Sequence, residues 1–488
     1  MKRTAVINVV GLTEALIGEH TPRIAGFAER GALARVVPGL PAVTCSAQST
    51  YLTGQQPSQH GIVGNGWYHR ELAEVQFWKQ SNHLVHGQKI WERLRARDPK
   101  FTCAKLFWWY NMYSSADYSI TPRPMYPADG RKVFDVYTWP YSIRPEIKRE
   151  LGEFPFPAFW GPAAGRLTPQ GAPDAVSRWI ASSAKWIERK HQPTLSLIYL
   201  PHLDYNLQRH GVKSRRTKTE NRNPNSPPTC VGAYEINPAI IPDLRAIDAI
   251  VGDLIDFFRA QSVQVVLLSE YGITNVDTPI HLNRLFRREG WLTVKQELGL
   301  ELLDCGASKV FAVADHQVAH VYINDATLEH SVRALLERTE GVEAVLDAKE
   351  KAAAGLDHPR AGDLIAIANA NSWFTYYYWL DDARAPDFAR TVDIHRKPGY
   401  DPVELFLDPR LKFPKLKIAG RLLQKKLGFR MLMDVIPLDA SLVRGSHGRR
   451  PEDQRDWPVL ICEHAELLPA SPIKATDVFH ALLRHVQQ

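Results

Sequence analysis

Short apolar runs that alternate with helical patterns are the feature of this sequence that most restricts its fold. The runs are Ala5–Leu12, Leu195–Leu200 and Val263–Leu268. Each is aliphatic or β-branched and is bounded by turn residues or charges, which is typical of strands buried in a parallel sheet. Apolar residues at helical spacing precede the second and third runs, in Asp174–Arg189 and Asp243–Arg259. The alternation predicts a doubly wound, mostly parallel α/β sheet.

The composition is that of a soluble globular protein. Of the 488 residues, 44% are hydrophobic and 23% are charged, which excludes disordered, collagen-like and coiled-coil classes. Lys and Arg number 60 against 53 Asp and Glu, so the formal net charge is +7. That modest excess fits an anionic substrate and does not by itself indicate nucleic-acid binding.

The cysteines and the apolar content indicate a cytoplasmic protein. The five cysteines are widely spaced and form no C-x-x-C motif, which argues against a disulfide framework or a structural zinc site. The sequence contains no stretch near the ~20 apolar residues needed to span a bilayer. Near the N-terminus, Glu14 interrupts the apolar run too early for a signal peptide. We therefore expect no membrane partner.

Three parts are predicted along the chain. Residues 1–300 form the α/β core with a basic loop insertion at 212–228, residues 301–360 form a small βαβ subdomain, and residues 361–488 return to the core. The loop lacks periodicity and is predicted as a solvated insertion or as a basic arm over an anionic ligand, in which Arg215 and Arg216 would pair with phosphate oxygens.

Polar residues just beyond the predicted strands are the first candidates for function. In doubly wound sheets, active residues gather beyond the carboxyl ends of the strands, which here directs attention to Thr13, Asp204, Glu270 and Tyr271. Thr44 begins a helical segment and is either an ordinary N-cap or a hydroxyl placed to attack phosphorus, because the amides of a helix N-terminus favour an anion.

The motifs around Thr44 resemble one known family. P-x-x-T ending at Thr44, T-G nine residues later, and P-x-x-H-G-I followed by Asn65 look like the nucleotide pyrophosphatase/phosphodiesterase branch of the alkaline phosphatase superfamily. Asp204 after the second strand, S-E-Y-G with Glu270 after the third, and G-S-H-G with His447 continue the resemblance over nearly the whole chain. The resemblance implies an alkaline phosphatase-like core with a small α+β subdomain. It also implies a threonine nucleophile, Thr44, activated by two zinc ions about 4 Å apart.

The ligand positions implied by this resemblance match only in part. Asp204 and His447 are retained and Glu270 is a conservative change, whereas Thr13, Gln208 and Tyr271 stand where the family has zinc ligands. We predict that Asp204, Glu270 and His447 hold metal. Two further histidines, His395 and His316, are candidates to line the site, and His395 is the predicted replacement ligand; His202 and His320 have the ordinary interpretation of hydrogen-bonded side chains.

The implied cofactor is one or two divalent ions, with zinc first and magnesium or manganese as alternatives that favour oxygen donors such as Glu270 and Gln208. Arg396 is predicted to bind phosphate together with Asn65, although Asn65 is also an ordinary Asn-Gly turn residue.

The resulting hypothesis is a metal-dependent phosphoester hydrolase for a small phosphodiester or nucleotide pyrophosphate-like substrate. One alternative is a metal-poor relative that binds a phosphorylated metabolite without hydrolysis, and another is a phosphoryl transferase or mutase. A nucleic-acid-binding module is the least favoured interpretation, since no recognised motif supports it. The predicted partner is a small phosphorylated molecule and not a nucleic acid, and homo-oligomerisation is left open.

Overall fold

The computed structural model describes residues 1–129, 131–168, 171–214 and 235–488. Most of the predicted basic loop, including Arg215 and Arg216, lies outside the described residues.

The strands of the described residues are β1 Thr4–Val9, β2 Ala32–Val37, β3 Gly66–His69, β4 Glu74–Phe77, β5 Cys103–Leu106, β6 Tyr118–Pro122, β7 Val136–Trp139, β8 Leu195–Leu200, β9 Gln264–Leu268, β10 Thr274–Asn275, β11 Thr278–Ile280, β12 Val294–Glu297, β13 Leu300–Leu303, β14 Val310–Asp315, β15 Val318–Ile323, β16 Val342–Leu346, β17 Leu364–Ala368, β18 Ser372–Phe374, β19 Gly445–Ser446, β20 Val459–Cys462 and β21 Ile473–Lys474. The α-helices are α1 Pro22–Arg30, α2 Thr44–Thr53, α3 Pro57–His60, α4 Ile90–Arg97, α5 Ile143–Leu151, α6 Ala175–His191, α7 His202–His210, α8 Ile241–Ala260, α9 Leu282–Arg288, α10 Glu329–Glu337, α11 Ala348–Ala353, α12 Pro414–Lys426 and α13 Asp477–Gln487.

A nine-stranded sheet forms the centre of the molecule. Its strand order is β21-β2-β20-β9-β1-β8-β5-β6-β7. The five strands β9, β1, β8, β5 and β6 are parallel to one another, whereas β20 runs antiparallel to both β9 and β2, and β7 runs antiparallel to β6. The predicted doubly wound, mostly parallel sheet is confirmed, and the three predicted apolar runs are its central strands β1, β8 and β9.

Helices cover this sheet in two groups. Helix α8 packs against both α1 and α6, and α13 packs against α2 and α4. The strands β1 and β8 are buried along their whole length, as expected for parallel strands between two helical layers. Among the described residues, no helix combines the length and the apolarity needed to cross a membrane.

A second, antiparallel sheet has its own apolar core. Its strand order is β14-β15-β17-β16, with α10 packed on β16. The two strands of the predicted βαβ unit are β15 and β16 of this sheet, and its helix is α10. The two strands are not neighbours, because β17 pairs with both and lies between them. The boundaries of the predicted parts stay a prediction. The aromatic run from Trp373 to Trp379 is buried in this second core. The four described cysteines, Cys45, Cys103, Cys305 and Cys462, form no disulfide.

Candidate active site

Three adjacent strands carry the polar residues of the candidate site. Asn8 lies in β1, Asp204 lies in the first turn of α7 just after β8, and Glu270 and Tyr271 directly follow β9. Because β9, β1 and β8 are neighbours and parallel, their carboxyl ends meet at one edge of the sheet. The structure therefore brings these polar residues together beyond the carboxyl ends of the three strands.

Thr44 is the first residue of α2, and all ten residues of this helix are buried. The N-cap is Val43, and Thr44 does not cap the helix with its side chain. Instead, Oδ1 of Asn65 accepts a hydrogen bond from the Cys45 backbone N–H at 3.0 Å. The backbone and side-chain N–H groups of Asn65 in turn donate to the carboxylate of Asp315 at 2.7 and 3.0 Å. Asn65 thus ties the start of α2 to β14 of the second sheet.

The G-S-H-G segment is fixed next to Thr44 by backbone pairing. The N–H of Ala42 donates to the Gly448 carbonyl at 2.8 Å, and Nδ1 of His447 lies 2.7 Å from the Ala42 carbonyl, to which it donates. A Cβ atom at Gly448, where φ is +118°, would lie 3.0 Å from the backbone nitrogen of Gln317. A glycine is required there because this close approach coincides with a left-handed backbone conformation.

The Thr44 hydroxyl contacts two of the residues that follow β9. Its Oγ1 lies 3.2 Å from the hydroxyl of Tyr271, and that hydroxyl donates to Oδ1 of Asp204, also at 3.2 Å. Glu270 is also close to this hydroxyl, and its Oε1 accepts hydrogen bonds from the side-chain amides of Asn8 and Gln48 at 2.5 Å each. The second oxygen of Glu270, Oε2, is buried and has no hydrogen-bond partner among the described residues.

Four stacked rings continue from Tyr271, and we call them the Tyr–His stack: Tyr271, His447, His316 and Tyr400. Successive ring centroids are 3.6, 3.6 and 3.7 Å apart, and the Tyr271 and His447 rings are almost parallel, at 6°. The Tyr400 hydroxyl donates to Oε1 of Gln208 at 3.1 Å, and Nε2 of Gln208 donates to Asp204 at 2.8 Å. Since Tyr271 also donates to Asp204, the contacts form a closed ring.

Burial shifts the pKa values of the ionisable groups of this site in the direction that favours their neutral forms. Removal from water raises the pKa of Asp204 to about 6, against the hydrogen bonds from Gln208 and Tyr271. It raises the pKa of Glu270 to about 8, although the amides of Gln48 and Asn8 and the Thr44 hydroxyl favour its carboxylate. The same cause lowers the pKa of His447 to about 3.

The residues at the implied ligand positions do not fit a two-metal centre. Thr13, Gln208 and Tyr271 offer neutral oxygen or amide groups, and both oxygens of Asp204 already accept hydrogen bonds from Tyr271 and Gln208. The His447 ring lies between two other rings of the Tyr–His stack. Within residues 1–129, 131–168, 171–214 and 235–488, no group of three or more His, Cys, Asp or Glu residues is arranged to hold a metal ion.

Two predicted site residues lie elsewhere. His395 hydrogen-bonds to the carbonyl of Phe77 at 3.2 Å, and none of its described contacts is with Thr44 or the Tyr–His stack. The side chain of Arg396 is half exposed and pairs with Asp387 at 3.0 Å, so it has a partner on the surface. Their prediction rested on the polar composition of residues 392–402, and composition does not tell which way a loop turns.

Other candidates are also placed by the structure. His202 is the first residue of α7, and its side chain pairs with Asp243 at 3.0 Å. Glu14, adjacent to Thr13, forms an ion pair with Arg35. His320 hydrogen-bonds to the Val63 carbonyl, as expected for an ordinary buried histidine. His316 lies beside the site as a member of the Tyr–His stack.

Sequence reasoning missed Asn8, Gln48 and Tyr400. Gln48 lies four residues after Thr44 in α2, so helical spacing places both on one side of the helix, and that signal was available. Asn8 is a polar residue inside a fully buried strand, which is a second usable signal. Tyr400 reaches the site from a distant segment, and no local pattern indicates that contact.

We expect Glu270→Gln to raise the melting temperature relative to the unaltered protein, by an amount that grows with pH. The folded pKa of about 8 exceeds the ordinary value of 4.5, so the folded chain binds more protons between these pH values and stability falls as pH rises. Glutamine remains neutral and keeps the acceptor for Asn8 and Gln48. Between pH 5 and 8 the difference in melting temperature should grow by about 4 °C, since each pH unit is worth ~1.4 kcal/mol.

Thermal unfolding followed by circular dichroism at several pH values measures this difference. Other titrating groups, such as Lys105, whose pKa is lowered by burial to about 7, are present in both proteins. Their contribution therefore cancels when the melting temperatures of the two proteins are subtracted at each pH. A difference that stays constant with pH would show that Glu270 is already ionised in the folded protein.

Comparison with known proteins yields one sequence family and one fold. Residues 4–401 match the family model described as type I phosphodiesterase / nucleotide pyrophosphatase. No curated protein sequence matches the chain significantly. Among solved structures, phosphonoacetate hydrolase from Sinorhizobium meliloti 1021 is similar with a TM-score of 0.59 and 12% identity, over 99% of this chain and 96% of that one. Murine ectonucleotide pyrophosphatase / phosphodiesterase 5 has a TM-score of 0.55 and 12% identity, over 100% and 95%.

Proposed function

Because the chain belongs to the type I phosphodiesterase / nucleotide pyrophosphatase family of hydrolases, we propose that it hydrolyses a small phosphodiester with Thr44 as the nucleophile and without the family's two-metal centre. Glu270 is the base in this proposal, and the Tyr–His stack holds the segments around Thr44 in place. The proposal departs from the sequence-based hypothesis in its metal dependence, since the residues present do not fit two zinc ions.

The observation that carries the proposal is that the Thr44 hydroxyl lies close to both Tyr271 and Glu270. A threonine hydroxyl is a weak acid and needs a neighbouring base to become a nucleophile. The Oε2 atom of Glu270 is buried and unpartnered, and the Thr44 hydroxyl is near enough to influence the pKa of that carboxyl. The same hydroxyl lies at the N-terminus of α2, where the helix dipole favours the negative charge of a phosphate.

The first step transfers one proton and exchanges one bond. The Thr44 hydroxyl gives its proton to the ionised Glu270 carboxylate while Oγ1 forms a bond to phosphorus. The bond from phosphorus to the leaving oxygen breaks, and that oxygen takes a proton from solvent. Water then attacks the threonine-bound phosphate, the bond from phosphorus to Oγ1 breaks, and the proton held by Glu270 returns to Thr44 as the water proton passes to solvent.

Tyr271 orients the nucleophile in this scheme. Burial raises the pKa of its hydroxyl well above the ordinary value, so Tyr271 stays protonated and donates a hydrogen bond to Asp204. Its oxygen is then an acceptor facing Thr44 until a substrate arrives. When Glu270 ionises, the Thr44 proton turns toward the carboxylate.

A second candidate function is binding of a phosphorylated ligand without hydrolysis. The observation that favours it is the closed ring of contacts, which already satisfies Asp204, Gln208 and Tyr271. Thr44 itself is only 5% exposed, so a substrate reaches it after neighbouring side chains move. Such a protein would retain the family's fold and lose its chemistry.

Hydrolysis of bis-p-nitrophenyl phosphate by the chelator-treated protein separates the two candidates. We expect release of p-nitrophenol that withstands EDTA and does not increase when zinc, magnesium or manganese is added. The second product should be p-nitrophenyl phosphate, and peptide mass spectrometry after acid quench should find a p-nitrophenyl phosphoryl adduct on the Thr44 peptide.

Activity that appears only with added metal would overturn the metal-free proposal and restore the two-metal hypothesis. An inert protein that is nevertheless stabilised by phosphate esters in thermal unfolding would establish the second candidate. Transfer of the phosphoryl group to an added alcohol in preference to water would indicate a transferase.

A further inference from the structure

The segment 409–433 carries an unusual concentration of positive charge. It contains eight Lys and Arg residues and no Asp or Glu, against a net charge of +7 for the whole chain. Three of the eight are paired: Arg410 with Asp408, and Lys417 and Arg421 with Asp434. The other five, Lys412, Lys415, Lys425, Lys426 and Arg430, have no ion-pair partner among the described residues.

One side of α12, in the middle of this segment, attaches it to the protein. Ile418 packs against the second core. The Nζ atom of Lys417 lies 2.8 Å from a carboxylate oxygen of Asp434, and Arg421 lies 3.0 Å from the other. Together with Pro414 these residues recur at positions i, i+3, i+4 and i+7, so they form a single face of the helix. This attachment is light, since no residue of α12 is buried.

The opposite side of α12 presents apolar residues to solvent. Leu416, Ala419, Gly420, Leu423 and Leu427 repeat the helical spacing on that side, and all five are exposed. The Leu416 side chain is 70% exposed and Leu427 is 64% exposed. The segments that flank the helix add further exposed apolar side chains, namely Phe413, Phe429 and Leu432. We call this set, with Leu416, Leu422, Leu423 and Leu427, the α12 apolar face.

We propose that the α12 apolar face docks the protein onto a membrane surface that contains anionic lipids. A helix with leucine and phenylalanine on one side and lysine and arginine around it lies in the plane of the lipid interface, with its apolar side among the upper acyl chains. The unpaired lysines and Arg430 would then meet lipid phosphates and carboxylates. A monomeric soluble protein rarely leaves so continuous an apolar surface uncovered.

Charge decides between a membrane and a second copy of this chain. Two copies that met through this surface would bring two sets of unpaired cations together, with no acidic residue in the segment to offset them. An anionic membrane offers both an apolar phase and the opposite charge. The sequence-based expectation of no membrane partner rested on the lack of a spanning segment, and a helix that lies on the surface needs none.

Sedimentation of the full-length protein with lipid vesicles tests the proposal. We expect it to bind vesicles of phosphatidylcholine with about 30% phosphatidylserine and to bind phosphatidylcholine alone at least about tenfold more weakly. Raising the salt concentration to about 0.5 M should weaken binding, because it screens charges at the surface. The triple variant Leu416→Ser, Leu423→Ser, Leu427→Ser and the triple variant Lys415→Gln, Lys425→Gln, Lys426→Gln should each lose about tenfold or more in binding.

Matched controls come from exposed residues on other surfaces. Leu298→Ser removes an exposed leucine of the β12–β13 turn, and a variant with glutamine at Lys2, Lys79 and Lys100 removes three exposed lysines; both should bind as the unaltered protein does. Circular dichroism checks that every variant folds. The proposal would be overturned if the triple leucine variant of α12 bound vesicles as well as Leu298→Ser does, or if the unaltered protein bound no vesicles. A dimer in light scattering that the triple leucine variant abolishes would assign the surface to a second copy instead.

Discussion

Replacing Thr44 by valine should remove phosphodiester hydrolysis, with a loss in kcat/KM of at least about a thousandfold. Valine has nearly the same shape as threonine, so the change removes the nucleophilic oxygen and little else. Tyr271 keeps its hydrogen bond to Asp204, and the stacked rings of Tyr271 and His447 are not touched. The measurement is the rate of p-nitrophenol release from bis-p-nitrophenyl phosphate by chelator-treated protein.

Thr44→Ser is the matched variant, since serine keeps the hydroxyl at the start of α2. It should retain activity within about tenfold and should acquire the phosphoryl adduct at the same position. Undiminished hydrolysis by Thr44→Val would show that water is the nucleophile or that the reaction occurs at another site. The melting temperature of both variants should remain close to that of the unaltered protein, which separates loss of chemistry from loss of fold.

Replacing Glu270 by glutamine should lower kcat/KM by about a hundredfold to ten-thousandfold, the range typical of a lost general base. The base must be ionised to accept the Thr44 proton, and the pKa of Glu270 is about 8. Activity of the unaltered protein should therefore rise about tenfold per pH unit below pH 8 and level off above it. The residual activity of Glu270→Gln should lack this rise, and pH–rate profiles of both proteins measure it.

Glu188→Gln is the control for this experiment. Glu188 is a buried glutamate of α6 whose pKa is also raised by burial, but it pairs with Arg3 and has no contact with Thr44. Its pH–rate profile should match that of the unaltered protein. A profile of Glu270→Gln that retains the rise toward pH 8 would assign the base to another group.

The sequence determined the core fold because the signals for parallel strands are local. The runs Ala5–Leu12, Leu195–Leu200 and Val263–Leu268 became β1, β8 and β9, with ends displaced by a few residues at most. The helices predicted at Asp174–Arg189 and Asp243–Arg259 became α6 and α8. Strand order was out of reach, because the pairing of β20 between β2 and β9 is a long-range contact that no local pattern reveals.

The sequence grouped several of the candidate residues but did not reveal their contacts. Asp204 and Glu270 follow strands that end at the same edge of the central sheet, Thr44 lies beside Tyr271, and the pairing of Ala42 with Gly448 brings His447 next to Thr44. What replaced the missing ligands was not visible in the sequence, since the contacts of Tyr271 with His447 and of His316 with Tyr400 join residues far apart in the chain. The direction of the loop that carries His395 could not be predicted either, because the composition of a loop does not determine which way it turns.

The insertion of β20 between β2 and β9 has a consequence for how the protein is made. During translation, β1, β8 and β9 leave the ribosome long before Val459–Cys462 does. Until that strand is synthesised, β2 and β9 each present an unpaired edge, and such edges are templates for association with other chains. We therefore expect a nascent chain stalled before residue 459 to associate with other chains more readily than one in which β20 has already inserted between β2 and β9.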